Sequence, residues 1–141
     1  MKVRILVMIL AAAGAACASD APQQIFDLFS NIASALSDDD PAVFIEAVDP
    51  NMPHFYDFRA MLTALVGEAD LTNSVEVMTD TGDDKHRTEE LDWVLHLADK
   101  ANSHTIEERH KAVTFKLERK GKKWKIVSID PMNFFAPPKG I

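Results

Sequence analysis

Two short stretches of this 141-residue sequence hold side chains able to move a proton. In the first, His54, Tyr56 and Asp57 fall within a single helical turn of sequence. A phenol that donates, a carboxylate that accepts and an imidazole that relays between them are the parts of a general acid–base site. Arg59 follows Tyr56 by three residues and would meet it on one helical flank. In the second stretch, Glu90, Asp92 and His96 share one face of a strand-like segment. An imidazole beside a carboxylate titrates near neutral pH. Tyr56, Asp57, His96 and Asp92 are therefore the catalytic candidates. Each group also has a plainer reading: the polar side of an amphipathic helix, and a strand histidine that is exposed or satisfied by its neighbours.

Metal and cofactor chemistry find no support. His54, His86, His96, His104 and His110 show no paired spacing on a helix, and the single cysteine, Cys17, cannot complete a set with them, so no zinc site is expected. There is no Gly-rich phosphate loop and no Gly-x-Ser-x-Gly elbow, and no cofactor is expected. Asp38-Asp39-Asp40 lacks the further ligand spacing of a cation loop and reads as a solvated turn whose last member caps a helix. Lys116, Arg119, Lys120, Lys122, Lys123 and Lys125 concentrate positive charge near the C-terminus. An anionic partner or a membrane surface could dock there. Lysines that guard a strand edge against unwanted pairing are the alternative.

The elements that must position these residues follow from periodicity. Ile25, Leu28, Phe29, Ile32 and Leu36 recur at helical spacing, with Ser19, Asp20 and Pro22 as start signals. Asp40-Pro41 restarts a shorter helix that buries Val43, Phe44, Ala47 and Val48. Asn51-Met52-Pro53 opens a third, with Phe55, Phe58, Leu62, Leu65 and Val66 as its stripe and Gly67 as its expected positive-φ cap. After Gly67 the period changes to two. Leu71, Asn73, Val75 and Val77 form one row; Leu91, Trp93, Leu95 and Leu97 form another; Val113, Phe115 and Leu117 a third. In the last strand Trp124, Ile126 and Ser128 are expected to alternate with Lys125, Val127 and Ile129. Short polar turns between the strands imply an antiparallel meander. Three helices followed by four strands make an α+β domain.

The N-terminus carries an export signal. Lys2 and Arg4 precede an apolar run from Ile5 to Ala16 that ends at Cys17. That run is shorter than the roughly 20 apolar residues a membrane span needs. Two processing routes stay open. Ala16-Cys17-Ala18 offers a small-x-small cleavage site that would release a chain from Ser19. Gly14-Ala15-Ala16-Cys17 is similar to a lipobox, which would make Cys17 a lipid attachment point, although Gly14 stands where leucine is usual. The expected organisation is a signal peptide at 1–18, one domain at 19–136 and a tail at 137–141. The leader holds two of the fifteen basic residues, leaving thirteen against twenty-two acidic ones and a net charge of −9. Such a domain repels phosphate backbones, so nucleic acid is not an expected partner. A membrane would be reached only through an anchor on Cys17. An exported chain that folds without disulfides suits a bacterial envelope, as a periplasmic, secreted or lipid-anchored protein.

The mature chain resembles the NTF2-like superfamily, which includes ketosteroid-isomerase-like and SnoaL-like members. The resemblance rests on Asp39-Asp40-Pro41-Ala42-Val43-Phe44 after the first helix, on Leu91-Asp92-Trp93-Val94-Leu95-His96-Leu97, and on the hairpin from Val113 to Asp130 with its Trp124-Lys125-Ile126-Val127 ending. It implies three N-terminal helices packed on a curved antiparallel four-stranded sheet, a cone with a hollow between helices and sheet. It carries no catalytic residue across. Asp49-Pro50-Asn51-Met52-Pro53 and a further helix stand where ketosteroid-isomerase-like relatives place a general base, and the first helix has no tyrosine. The expected function is thus a non-catalytic exported domain binding a small apolar ligand or a partner protein. The alternatives are an isomerase, dehydratase or cyclase working by acid–base chemistry in the hollow, or a structural module that forms a homodimer through its sheet face.

Overall fold

The computed structural model describes residues 21–139. The readings on residues 1–20, including the leader, Cys17 and the helix start at Ser19 and Asp20, lie outside the described residues. Helix α1 covers residues 21–37, α2 spans Ala42–Ala47 and α3 spans Phe55–Glu68. The strands are β1 Ala69–Gly82, β2 His86–Asp99, β3 Thr105–Lys120 and β4 Lys123–Asp130, followed by a 3₁₀ turn, Met132–Phe135. They form one antiparallel sheet in the order β1-β2-β3-β4. Helices segregated on one face of a meander are the α+β architecture expected from the sequence.

Local chemistry explains the joints. α1 ends where Asp39 adopts a left-handed φ of 61°. The Asp40 N–H reaches back to the Ala35 carbonyl at 2.8 Å, and the Asp39 N–H to the Leu36 carbonyl at 3.3 Å. That is the Schellman arrangement, with aspartate in the place glycine usually takes. Asp40 then accepts the Ala42 N–H at 3.1 Å and starts α2. The aspartate triplet is thus a turn between two helices. Asp49 is also structural. Its Oδ1 accepts the Asn51 N–H at 2.8 Å, and its backbone N–H joins the β4 edge through the Ile126 carbonyl at 2.8 Å.

Two sequence expectations are corrected. Gly67 is not a positive-φ cap: α3 runs through it to Glu68, and Ala69 leaves the helix in an extended conformation. The buried Leu65, Val66 and Ala69 hold the chain on the core across the helix-to-strand junction, so no left-handed residue is needed there. The inward row of β4 is Trp124, Ile126 and Ile129, not Trp124, Ile126 and Ser128. Lys116 pairs with Ser128 while Leu117 pairs with Ile126, so a bulge inserts Val127 and reverses the faces beyond it. Similar shifts lie between Val77 and Thr79 and between Leu97 and Ala98. Bulges strengthen twist and bend strands, and here they help curl the sheet around the helices.

Candidate functional site

The inner face of the sheet meets the helices through aromatic rings. Phe44 from α2 lies 5.0 Å from Phe58 and 5.1 Å from Phe135, with Trp93 and Phe115 at 6.3 and 6.5 Å. All five are fully buried, as are Leu91, Leu95, Leu97 and Val113. The rings stand at centroid distances of direct aromatic contact. The hollow that the cone shape implies is therefore filled, and the C-terminal segment supplies part of the filling. Trp93 keeps its one polar atom satisfied: Nε1 donates to Asn73 Oδ1 at 2.9 Å, and Asn73 Nδ2 donates to Ser37 Oγ at 3.0 Å. A buried indole needs such a partner, and this relay ties the end of α1 to β1 and β2.

Arg109 holds the C-terminal plug in place. Its Nη1 donates to the Phe134 carbonyl at 2.7 Å and to the Ala136 carbonyl at 2.6 Å, while Nε and Nη2 reach Glu107 at 2.9 and 3.1 Å. Arg109→Ala is expected to cost about 1–3 kcal/mol, because it leaves two partly buried carbonyls without their charged donor. Limited proteolysis should then cut first after Phe134 or Phe135. A variant as resistant as the parent at these bonds would show that the aromatic packing alone retains the segment.

The sequence-predicted site residues occupy two separate surfaces. Tyr56 is 67% exposed at the start of α3, with Arg59 stacked over its ring at 5.0 Å. His54 Nδ1 lies 3.5 Å from Asp57 Oδ2, both exposed. Asp92 and His96 stand on the outer face of the sheet, and the structure does not join them. Asp92 instead bonds His110 Nε2 at 2.8 Å, and His96 bonds Thr105 at 3.0 Å. None of the four reaches the inner face. Among the described residues no group of three or more His, Cys, Asp or Glu side chains could hold a metal ion.

The inner face also carries a titratable pair that residue type alone does not single out. Asp80 and Glu89 are directly paired across β1 and β2, and Glu89 continues the inward row of Leu91, Trp93, Leu95 and Leu97. That row was the available signal. Glu89 is 1% exposed and its Oε2 has no hydrogen-bond partner. Burial, then the hydrogen bond and charge of Asp80, push its carboxyl up to about 9, with Arg87 opposing. Burial also lifts Asp80, but the hydrogen bond from Glu89 and the Arg87 guanidinium outweigh it and hold Asp80 below the usual carboxylate range. Arg87 Nη2 and Nε lie 2.7 and 2.8 Å from Asp80 Oδ1. At neutral pH this is a protonated Glu89 donating to an ionised Asp80 that Arg87 neutralises.

Outside the core, a groove of about 440 Å³ runs between α1, α2 and the β3–β4 hairpin. Leu28, Val43 and Trp124 form its apolar floor, and Lys122 and Lys123 its rim. Gln24 Oε1 accepts Trp124 Nε1 at 3.0 Å, and Arg119 stacks over the Trp124 ring at 4.6 Å.

Fold comparison identifies this architecture. An NTF2-like superfamily protein from Salmonella enterica serovar Typhimurium superposes with a TM-score of 0.60 at 12% identity, over 79% of this chain and 89% of its own. The fold is the NTF2-like cone. A protein of unknown function from Mycobacterium tuberculosis matches with a TM-score of 0.60 at 12% identity, over 76% of this chain and 68% of its own. A candidate aromatic ring hydroxylase from Novosphingobium aromaticivorans matches with a TM-score of 0.58 at 10% identity, over 76% and 84%. No family model and no curated protein matches the sequence. At these identities the likeness is one of fold, and an NTF2-like fold hosts unrelated activities.

Proposed function

We propose that this chain is an exported, non-catalytic NTF2-like domain that binds a partner protein through its outer surface. The observation that carries the reading is the filled interior. Ligand sites are concave, with apolar walls and a few convergent polar groups. Here the walls of the cone touch one another, and the groove beside Trp124 lies outside it. The small apolar ligand remains the competing occupant. Thermal-shift titration with a panel of apolar and steroid-sized probes should leave Tm unchanged. A saturable rise in Tm would overturn the partner-protein reading and restore an internal pocket.

A catalytic reading has one observation in its favour, the acid Glu89 held protonated beside Asp80 on the inner face. To act, it would need a substrate to displace the rings that bury it. A probe that binds the parent but not Glu89→Gln would move the function to this pair. The dimer reading has less support, because Asp92, His96, Glu108 and His110 make the outer sheet face polar. Export is read from Lys2, Arg4 and the apolar run to Ala16. The intact mass of the protein purified from the cells that make it tests this reading. It should begin at Ser19 or at an acylated Cys17, and a mass retaining residues 1–18 would overturn export.

A further inference from the structure

β3 outruns its neighbour on one side. β2 pairs with it from Thr105 to Glu118, whereas β4 reaches only from Thr114 to Lys120. Residues 105–113 therefore pair on one side alone, and among the described residues no backbone group outside the sheet bonds their open side. A cleft of about 700 Å³ lies between this stretch and the C-terminal segment, with Arg109, His110 and Lys111 on one wall and Asn133, Ala136 and Lys139 on the other. Such an edge is a template for another strand, because alternate residues turn an N–H and a C=O outward. The outer edge of β4 is not open in this way. Val48 bridges Ile126 there, and the Asp49 N–H bonds the Ile126 carbonyl at 2.8 Å. β1 presents the sheet's other edge.

Charge decides what fits the open edge of β3. Glu107, Glu108, Arg109, His110 and Lys111 run along it, acids first and bases last. An antiparallel strand of the same sequence reverses that order. With two copies centred on Arg109, Glu107 faces the copy's Lys111 and Glu108 faces the copy's His110, and the two-fold axis repeats both pairs. The two Arg109 side chains meet on the axis, each held by its own Glu107 at 2.9 Å. The neighbouring registers set Glu108 against Glu108, or Arg109 against Lys111, and like charges directly opposite are destabilising. On β1 the only charges are Asp70, Glu76 and Asp80, so two β1 edges laid together gain no ion pair. We propose that the open edge of β3 pairs with the same edge of a second copy, joining two four-stranded sheets into one continuous sheet about an axis at Arg109. A self-complementary contact of this kind closes as a dimer and does not grow further. It uses a different surface from the groove beside Trp124, so it stands or falls separately from binding there.

Sedimentation equilibrium of the purified protein, from micromolar to near-millimolar concentration, should show monomer giving way to dimer. Hydrogen exchange over the same series should slow for amides within residues 105–113 as the dimer forms and stay unchanged along β1. Lys111→Glu sets a carboxylate against the copy's Glu107 on both sides of the axis, and should raise the dimer dissociation constant about tenfold. Lys111 is exposed, so this variant should keep the parent's Tm. Glu76→Lys, on the other edge, should leave the dissociation constant unchanged. A chain that stays monomeric throughout would overturn the proposal, and the charges on this edge would then serve to keep strands apart. A dimer that leaves exchange at residues 105–113 unaltered, or one as tight in Lys111→Glu as in the parent, would overturn it too, by placing the contact on another surface.

Discussion

Phe44→Ala is expected to destabilise the domain by about 3–5 kcal/mol, the usual cost of truncating a buried phenylalanine. Phe44 sits within 6.5 Å of four other aromatic rings, and each belongs to a different element: α3, β2, β3 and the C-terminal 3₁₀ turn. It is the point where helices, sheet and tail meet. Rings held between rigid strands and a helix relax little, so the space it vacates should persist as a dry aromatic-lined cavity. Such cavities bind benzene. Urea unfolding should report the loss, and benzene should raise the Tm of the variant but not of the parent. A loss under about 1 kcal/mol would mean the core collapses around the gap. Benzene binding to the parent would mean that the cone is not filled in solution.

Glu89→Gln is expected to stabilise the domain at neutral pH by about 1–3 kcal/mol and to flatten its pH dependence. The sign follows from the proton count. In the unfolded chain the Glu89 proton leaves near 4.5, whereas in the folded domain it is held to about 9. Folding therefore takes up a proton between these values, so stability falls as pH rises through that window and levels off above it. At about 1.4 kcal/mol per pH unit, the penalty accumulated by pH 7 has an upper bound of roughly 3 kcal/mol. Sharing of the proton with Asp80 and the nearby Arg87 reduce it. Glutamine keeps the shape and a donor toward Asp80 but carries no proton to lose. Asp80 acts in the other direction and in a lower window. Its lowered pKa contributes stability above the usual carboxylate value that is lost as pH falls through the folded value. Unfolding free energies from pH 5 to 9 should slope downward for the parent and run nearly level for the variant. Parallel curves would sink the assignment of a buried proton to Glu89.

Helix stripes and strand rows were legible because burial has a period. Ile25, Phe29, Ile32 and Leu36 in α1, and Leu91, Trp93, Leu95 and Leu97 in β2, are all buried as their spacing predicts. The bulge at Val127 was not legible, since nothing in Trp124-Lys125-Ile126-Val127-Ser128-Ile129 marks the inserted residue. Only the partner strand shows that Ser128 and Ile126 face successive residues of β3. The candidate site divides in the same way. Tyr56, Asp57, Asp92 and His96 drew attention by residue type, yet sequence proximity does not decide which face of an element meets solvent. Glu89 escaped because a glutamate in a polar run, Thr88-Glu89-Glu90, reads as exposed by type, although its position in the inward row was visible.

What the sequence determined by itself is the order and kind of the elements, because apolar periodicity is a local property of the chain. It also holds the charge asymmetry of the last hairpin, which is a matter of composition. Tertiary structure alone decided that the cone is filled, that Phe135 helps to fill it, and that Asp80 pairs with Glu89. Each depends on contacts between residues far apart in the chain. Whether side chains from α2, β2 and the C-terminal turn meet or leave a space is set by their summed volume within the curled sheet, and no local pattern encodes that sum.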